Sequence, residues 1–327
     1  MVKLVAEIVV NGLRQVGVHR GCRTLGGLRA GIAESVRRSV IVGVAIAATG
    51  CTPGVLDPVG PVGAAQRQIL LNSVGIMLCV VVPVILATAA IGWWFRASNR
   101  NATFRPDFVY SGRLEALIWA IPLLVILFLG GIAWIGAHDL DPAKPLSSAQ
   151  PPLEVQVVSL DWKWLFIYPE QGVASVNRLV IPVGRPVHFS LTSSSVMNAF
   201  FVPRLGSMIY TMNGMTTQLN LQADHAGRYP GRSSQFSGDG FASMRFDTDA
   251  VPAQKFDAWV TQVRAGGPVL DKAAYETLAS PSQNIVPHAY RAVDPGLFDA
   301  ILMRSAPHTA SHALPAPAAS PLSTEKR

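Results

Sequence analysis

Beyond residue 79 the chain has no cysteine. Cys22, Cys51 and Cys79 are all it holds, so nothing after them can form a disulfide or offer a thiolate to a metal. Charge is scarce too. Only 14% of residues are Asp, Glu, Lys or Arg and half are hydrophobic, where a soluble domain carries about 25% charge. That balance points to an integral membrane protein with a substantial soluble part. Acids are almost missing from residues 1–50, which hold Lys3, Arg14, Arg20, Arg23, Arg29, Arg37 and Arg38 against Glu7 and Glu34. This segment accounts for most of the net charge of +7. The remainder is nearly neutral, so the basicity is no sign of a nucleic-acid partner. No phosphate-binding glycine loop, nucleophile elbow or pair of catalytic carboxylates is present. The histidines are scattered. His138, His188 and His225 stand far apart, and His308 and His312, four apart, fall in a Pro-rich tail with no helical pattern.

What is there begins with a leader. Arg37-Arg38 precede a short apolar run, Ser39–Ala48, and then Thr49-Gly50-Cys51. The run is too short for a bilayer core of about 30 Å and reads as the end of a signal segment over residues 1–50. Cys51 after small residues resembles the lipobox of bacterial lipoproteins, with Ala48 where Leu is preferred. Lipidation of Cys51 is expected, giving a lipid-anchored segment over 51–71. The alternative is an uncleaved apolar segment with an incidental cysteine.

Two uncharged apolar stretches follow, 72–95 and 114–137, the second carrying Glu115 in its first turn. Both are long enough to span a membrane, and Trp93, Trp94, Trp119 and Trp134 sit where interfacial aromatics belong. Pro83 and Pro122 lie inside them, as membrane helices tolerate. The loop between holds Arg96, Arg100, Arg105 and Arg113 against Asp107, which places it on the cytoplasmic side. Residues 72–137 are therefore a transmembrane hairpin with both ends facing outward. A Pro/Ser/Ala-rich linker spans 138–152. From Leu153 the period drops to two: Leu153, Val155 and Val157, then Val187, Phe189 and Leu191, then Leu219 and Leu221. Such runs, split by Pro and Gly, predict an antiparallel β-sandwich, closing with a helix on which Phe256, Trp259, Val260 and Val263 share one face. Two short helices around Tyr275 and Phe298 are expected in 265–304, and a disordered tail over 305–327.

Three segments carry a resemblance. Asp161-Trp-Lys-Trp-Leu-Phe-Ile-Tyr-Pro169 resembles the aromatic segment of subunit II of the haem–copper oxidases. Ser195-Val-Met-Asn-Ala-Phe-Phe-Val-Pro203 resembles the strand bearing its first copper-ligating His. Ser233-Ser-Gln-Phe-Ser-Gly-Asp-Gly-Phe-Ala-Ser-Met244 resembles its ligand loop. The likeness, running from about Cys51 to Met303, leans to the quinol-oxidising, cytochrome bo-type branch. It implies a cupredoxin-like sandwich over 153–264 and an aromatic-rich segment over 265–304. A binuclear copper-A centre takes two thiolates, two imidazoles, a thioether and a carbonyl, soft donors suited to copper. Mapped here, the distant His is Asn198, the two Cys are Ser233 and Ser237, the carbonyl donor is Gln235 and the second His is Phe241. Only Met244 and Gly238 keep their identity. A lone Met cannot hold copper, so no metal is expected on this chain.

The resemblance then implies a non-metal-binding subunit of a proton-pumping terminal quinol oxidase that reduces oxygen to water. Haems and one copper would lie in partner subunit I, to which ubiquinol delivers electrons. Other small membrane subunits and membrane lipid complete the partners. The location implied is the bacterial inner membrane, with the large domain in the periplasm. Glu115 falls where the family carries a Glu at the cytoplasmic mouth of a proton channel, which makes it a proton-uptake candidate. The plainer reading is a helix-start Glu favoured by the macrodipole. Two other readings stay open: a copper-bearing cytochrome c oxidase subunit, and a free membrane-anchored lipoprotein acting as a copper chaperone or scaffold. The cluster Met208, Met212 and Met215 is a weak Cu(I) candidate, read first as packing in a turn-rich loop. Trp162 and Trp164 are likewise read as packing.

Overall fold

The computed structural model describes residues 54–103 and 110–305. The expected leader over 1–50, Cys51 and the tail beyond Ser305 lie outside the described residues.

The hairpin is two helices, α1 (Pro61–Trp94) and α2 (Gly112–Asp139). Both are exposed along their apolar lengths, as suits helices solvated by lipid or by other subunits. Helix α1 begins eleven residues before the apolar span expected from Asn72, so 51–71 is not a simple tether. Pro61 takes the first helical position, where its missing N–H costs nothing. Gln66, Arg67 and Gln68 then continue the helix, being good helix formers invisible to hydropathy. At 34 residues α1 is about 51 Å long, so its first turns stand outside the bilayer core.

That protruding root is built into the sandwich. Val59 N–H donates to the Arg204 carbonyl at 2.8 Å and Gly63 N–H to the Leu205 carbonyl at 3.1 Å. Arg204 pairs with Asp57 at 2.6 Å. A Cβ on Gly60 would fall 2.0 Å from the Gln222 carbonyl oxygen, so only glycine permits this approach.

The sandwich has two main sheets. The strands are β1 (Leu153–Leu160), β2 (Lys163–Tyr168), β3 (Val173–Val176), β4 (Arg178–Pro182), β5 (Val187–Ser193), β6 (Asn198–Phe201), β7 (Ile209–Thr211), β8 (Thr217–Leu221), β9 (Gly227–Ser233) and β10 (Arg245–Val251). Strand β12 (His288–Tyr290) joins them later, and a small separate ladder pairs β11 (Val269–Leu270) with β13 (Ala292–Val293). The first sheet runs β12-β3-β2-β1-β5-β8 and the second β4-β10-β9-β6-β7. The expected sandwich is present, but it is not purely antiparallel: β1 runs parallel to β5 and β4 parallel to β10. Local patterning cannot register this, because strand direction is set by which distant segments meet. Between the sheets Trp164, Phe166, Phe200 and Phe246 pack edge-on or stacked, with Phe200 and Phe246 5.1 Å apart. Helix α3 (Ala253–Ala265) closes one end through Phe256, Val260 and Val263.

Strand β2 explains the remainder. Trp164, Phe166 and Tyr168 point into the inter-sheet core, while Leu165 and Ile167 point outward. That outer face is covered by helices α4 (Lys272–Ala279) and α5 (Leu297–Ser305), through Tyr275, Leu297, Phe298 and Ile301. Each such side chain, fully buried, is worth roughly 2 kcal/mol. The two expected helices are these. The segment between them is more than a loop, since β12 extends the sheet by pairing with β3. Two buried polar side chains of the sandwich receive it. Lys163 donates to the Ser280 carbonyl at 2.7 Å and to Ser282 Oγ at 2.6 Å. Burial lowers its pKa from the ordinary lysine value, Asp161 opposing in part. Asn177, in a left-handed conformation at φ 56°, accepts the Trp164 N–H at 2.9 Å and donates to the Ile285 carbonyl at 3.0 Å. In Asn177→Ala both partners lose their bond and alanine must hold a positive φ. The variant should lose about 2–4 kcal/mol of unfolding free energy and speed amide exchange at 285–290 before elsewhere. Unchanged stability and exchange would refute this clamp.

Candidate functional site

The positions named by the ligand-loop likeness converge at one end of the sandwich. Asn198 opens β6, Ser233 closes β9, and the loop from Ser234 to Met244 returns the chain to β10 through a 3-10 turn, Phe241–Ser243. Ser233 sits at the centre, buried. Its hydroxyl accepts the Ala199 N–H at 3.3 Å and has Asn198 Oδ1 and the Gln235 carbonyl each at 3.1 Å. Its N–H donates to the Met244 carbonyl at 3.1 Å. Met244 is buried, with its sulfur 4.0 Å from Ser237 Oγ. Asn198, Ser233, Gln235, Ser237 and Met244 are thus brought together. Phe241 is half-buried and turns its ring to the exposed Phe236, 5.6 Å away.

The loop is also held from outside. Trp162 Nε1 donates to the Ser237 carbonyl at 2.9 Å. Its backbone is left-handed at φ 63°, unusual for so bulky a residue. The indole lies flat on the loop: a Cβ on Gly240 would come 2.3 Å from Trp162 Cγ. Next to it Asp161 accepts the Ser195 hydroxyl at 2.6 Å. Trp162 and Trp164, read together as packing residues, therefore do different work: Trp164 fills the core and Trp162 fixes the loop. The roles of Asp161, Lys163 and Asn177 escaped the sequence reading. Asp161 and Lys163 fall within the quoted aromatic segment, which offered the only signal for them.

The donors gathered here are an amide, two hydroxyls, a carbonyl already taken by Ser233 and one thioether. They do not fit copper, which in such a site needs thiolate and imidazole. Among the described residues no three His, Cys, Asp or Glu side chains cluster to hold a metal ion. Met208, Met212 and Met215 form no alternative pocket: Met208 accepts the Ser234 hydroxyl and Met215 is exposed. Arg232 and Arg245 are both exposed and stand opposite one another on β9 and β10. Of the loop's own acids only Asp239 is near.

Glu115 is elsewhere. It is exposed, in the first turn of α2. Helix α2 ends at Asp139 beside the sandwich, so Glu115 lies at the far end, about 36 Å down the axis. The structure separates the two candidate regions rather than joining them.

The family described as Cytochrome C oxidase subunit II, periplasmic domain, matches residues 155–251, and that described as COX Aromatic Rich Motif matches residues 264–308. The "Ubiquinol oxidase subunit 2" of Acetobacter aceti is 48% identical over 262 residues, 80% of this chain and 85% of that protein. The "Cytochrome bo(3) ubiquinol oxidase subunit 2" of Pseudomonas putida is 47% identical over 254 residues, covering 78% of this chain and 81% of its own length. The "Quinol oxidase subunit 2" of Bacillus cereus is 39% identical over 228 residues, 69% of this chain and 78% of that protein.

The hydroxyl of Ser233 is the one side chain that satisfies the buried Ala199 N–H. Ser233→Ala should therefore cost about 1–3 kcal/mol, read by urea unfolding of the detergent-solubilised chain. A loss below about 0.5 kcal/mol, the scale of an ordinary surface change, would show that Ser233 does not hold the cluster.

Proposed function

The chain belongs to the ubiquinol oxidase subunit II family, and from that premise we propose that it supports a proton-pumping oxidase without carrying electrons itself. It is a membrane-anchored subunit of a terminal quinol oxidase. Electrons pass from ubiquinol to the haems and copper of subunit I within the bilayer, so a periplasmic relay is unnecessary. The observation that carries this is the converged loop: the scaffold is complete, and Asn198, Ser233 and Ser237 stand hydrogen-bonded where soft ligands would be. The exposed Arg232 and Arg245 support the same reading. A cationic cytochrome c is steered by carboxylates and would meet like charge here.

Subunit I is the partner proposed for the rim of this loop, where Val196, Met197, Met208, Tyr210, Met215 and Phe236 expose apolar surface. The inner membrane is the proposed location, with the sandwich in the periplasm and Cys51 as a lipid anchor. The free-lipoprotein alternative has no observation in its favour. The test is to purify the complex through a tag on this chain. Haem-containing subunit I should come with it, and oxygen consumption should be driven by ubiquinol and not by reduced cytochrome c. Cytochrome c turnover at a rate matching quinol would contradict the proposal.

Glu115 is proposed as this chain's one direct aid to the chemistry, collecting protons at the cytoplasmic end of α2 for subunit I. Its exposure leaves it open to water. Loss of a positioned acid–base group costs about 100-fold or more, but water also reaches an exposed site. Glu115→Gln should therefore slow proton-coupled reduction of the complex by roughly tenfold, with haem content unchanged. Unaltered kinetics across pH would leave Glu115 only a helix-start residue.

A further inference from the structure

The linker after α2 does not run straight to β1. It folds back against the root of α1 and the edge of the sandwich, and encloses a cavity of about 190 Å³. Its polar rim is Asp139, Asp141, Lys144, Ser207 and Asn220, and its apolar wall includes Val62, Leu140, Leu146 and Leu219.

The height of this cavity is set by the helices. Gly136 of α2 meets Ile69 of α1, so closely that a Cβ there would fall 2.7 Å from Ile69 Cδ1. Trp134, 70% exposed, lies just below and marks the interface. Asp139 is five residues beyond Trp134, about 7.5 Å along the axis. The headgroup layer adds roughly 5–7 Å beyond each side of the hydrocarbon core. The cavity therefore opens at headgroup level.

It is also held open. Asn220 N–H donates to the Pro142 carbonyl at 2.9 Å, and its Nδ2 to the Pro142 and Ala143 carbonyls at 3.2 and 3.1 Å. Asp141 Oδ1 accepts the Ala143 N–H at 3.0 Å, and its carbonyl accepts the Lys144 N–H at 3.0 Å. The charges on the rim are loosely committed. Lys144 and Asp139 approach only to 3.9 Å, with side chains 56% and 68% exposed, a pair too solvated to be worth much.

We propose that this cavity binds the headgroup of a phosphatidylethanolamine-type lipid. The primary ammonium sits between the Asp139 and Asp141 carboxylates, and the phosphate meets Lys144. Two carboxylates against one lysine disfavour an anionic headgroup. A quaternary ammonium brings charge but no N–H to donate, and so forfeits the charge-assisted hydrogen bonds. The site requires the helices to lie in a bilayer, and does not depend on which reductant the complex uses.

The test uses the purified complex in detergent and a phosphatidylethanolamine with a photoreactive group beside the headgroup. Labelling should fall within residues 139–147. Unlabelled dioleoyl-phosphatidylethanolamine should compete about tenfold better than the matching phosphatidylcholine or phosphatidylglycerol, the scale of one charge-assisted bond. Asp139→Asn with Asp141→Asn keeps the oxygen that caps Ala143 and should abolish that preference. Labelling elsewhere, equal competition by the three lipids, or a preference that survives the double substitution would overturn the proposal. Such a result beside intact quinol oxidation would remove this site and leave the function standing.

Discussion

Strand β2 has no face left for water, and most of the molecule is arranged around that fact. Its inward side chains fill the space between the sheets and its outward ones need a cover of their own. A two-sheet sandwich supplies only the first. The chain therefore continues past the sandwich, lays α4 and α5 across the outer face and adds β12 to the sheet edge beside β3. A strand buried on both sides reads as an unbroken apolar run, which is how Lys163-Trp-Leu-Phe-Ile-Tyr168 reads but for its first residue. That lysine is kept in the interior because the cover brings Ser280 and Ser282 to its ammonium. The cover and the buried charge depend on each other.

The same strand governs the loop where a copper centre would stand in relatives of the copper-bearing kind. Asp161 and Trp162 form the turn into β2, and from there one side chain ties Ser195 and the other ties Ser237. The loop is thus fixed by contacts that a metal is not needed to make. Its interior is satisfied by Ser233, whose hydroxyl and N–H meet partners on β6 and at Met244. Hydrogen-bonded packing of this kind accounts for a complete scaffold around Asn198, Ser233 and Ser237.

Much of this was legible in the sequence, for identifiable reasons. The membrane hairpin and the period-two strands depend on local patterning, and Val155, Val157 and Phe189 fall inward as their spacing requires. The ligand-loop positions were legible through resemblance, and five of the six meet. What was hidden is non-local. The parallel pairings of β1 with β5 and β4 with β10 carry no local mark. Strand β12 is three residues long, too short for a period. The start of α1 was missed because Gln66, Arg67 and Gln68 are helical without being apolar. Asn177 carries no mark in the sequence, and only the fold reveals that its amide joins strand β2 to a loop more than a hundred residues on.

The account turns on the claim that this domain holds its shape through hydrogen bonds where copper-bearing relatives hold metal. Metal analysis of the intact purified complex tests that most directly, counting copper against haem by plasma mass spectrometry after dialysis in copper-containing buffer. The account predicts a single copper per complex, the one assigned to subunit I, and no binding in excess of it. Two further copper ions per complex, lost when Ser233, Ser237 or Met244 is replaced by alanine, would contradict it.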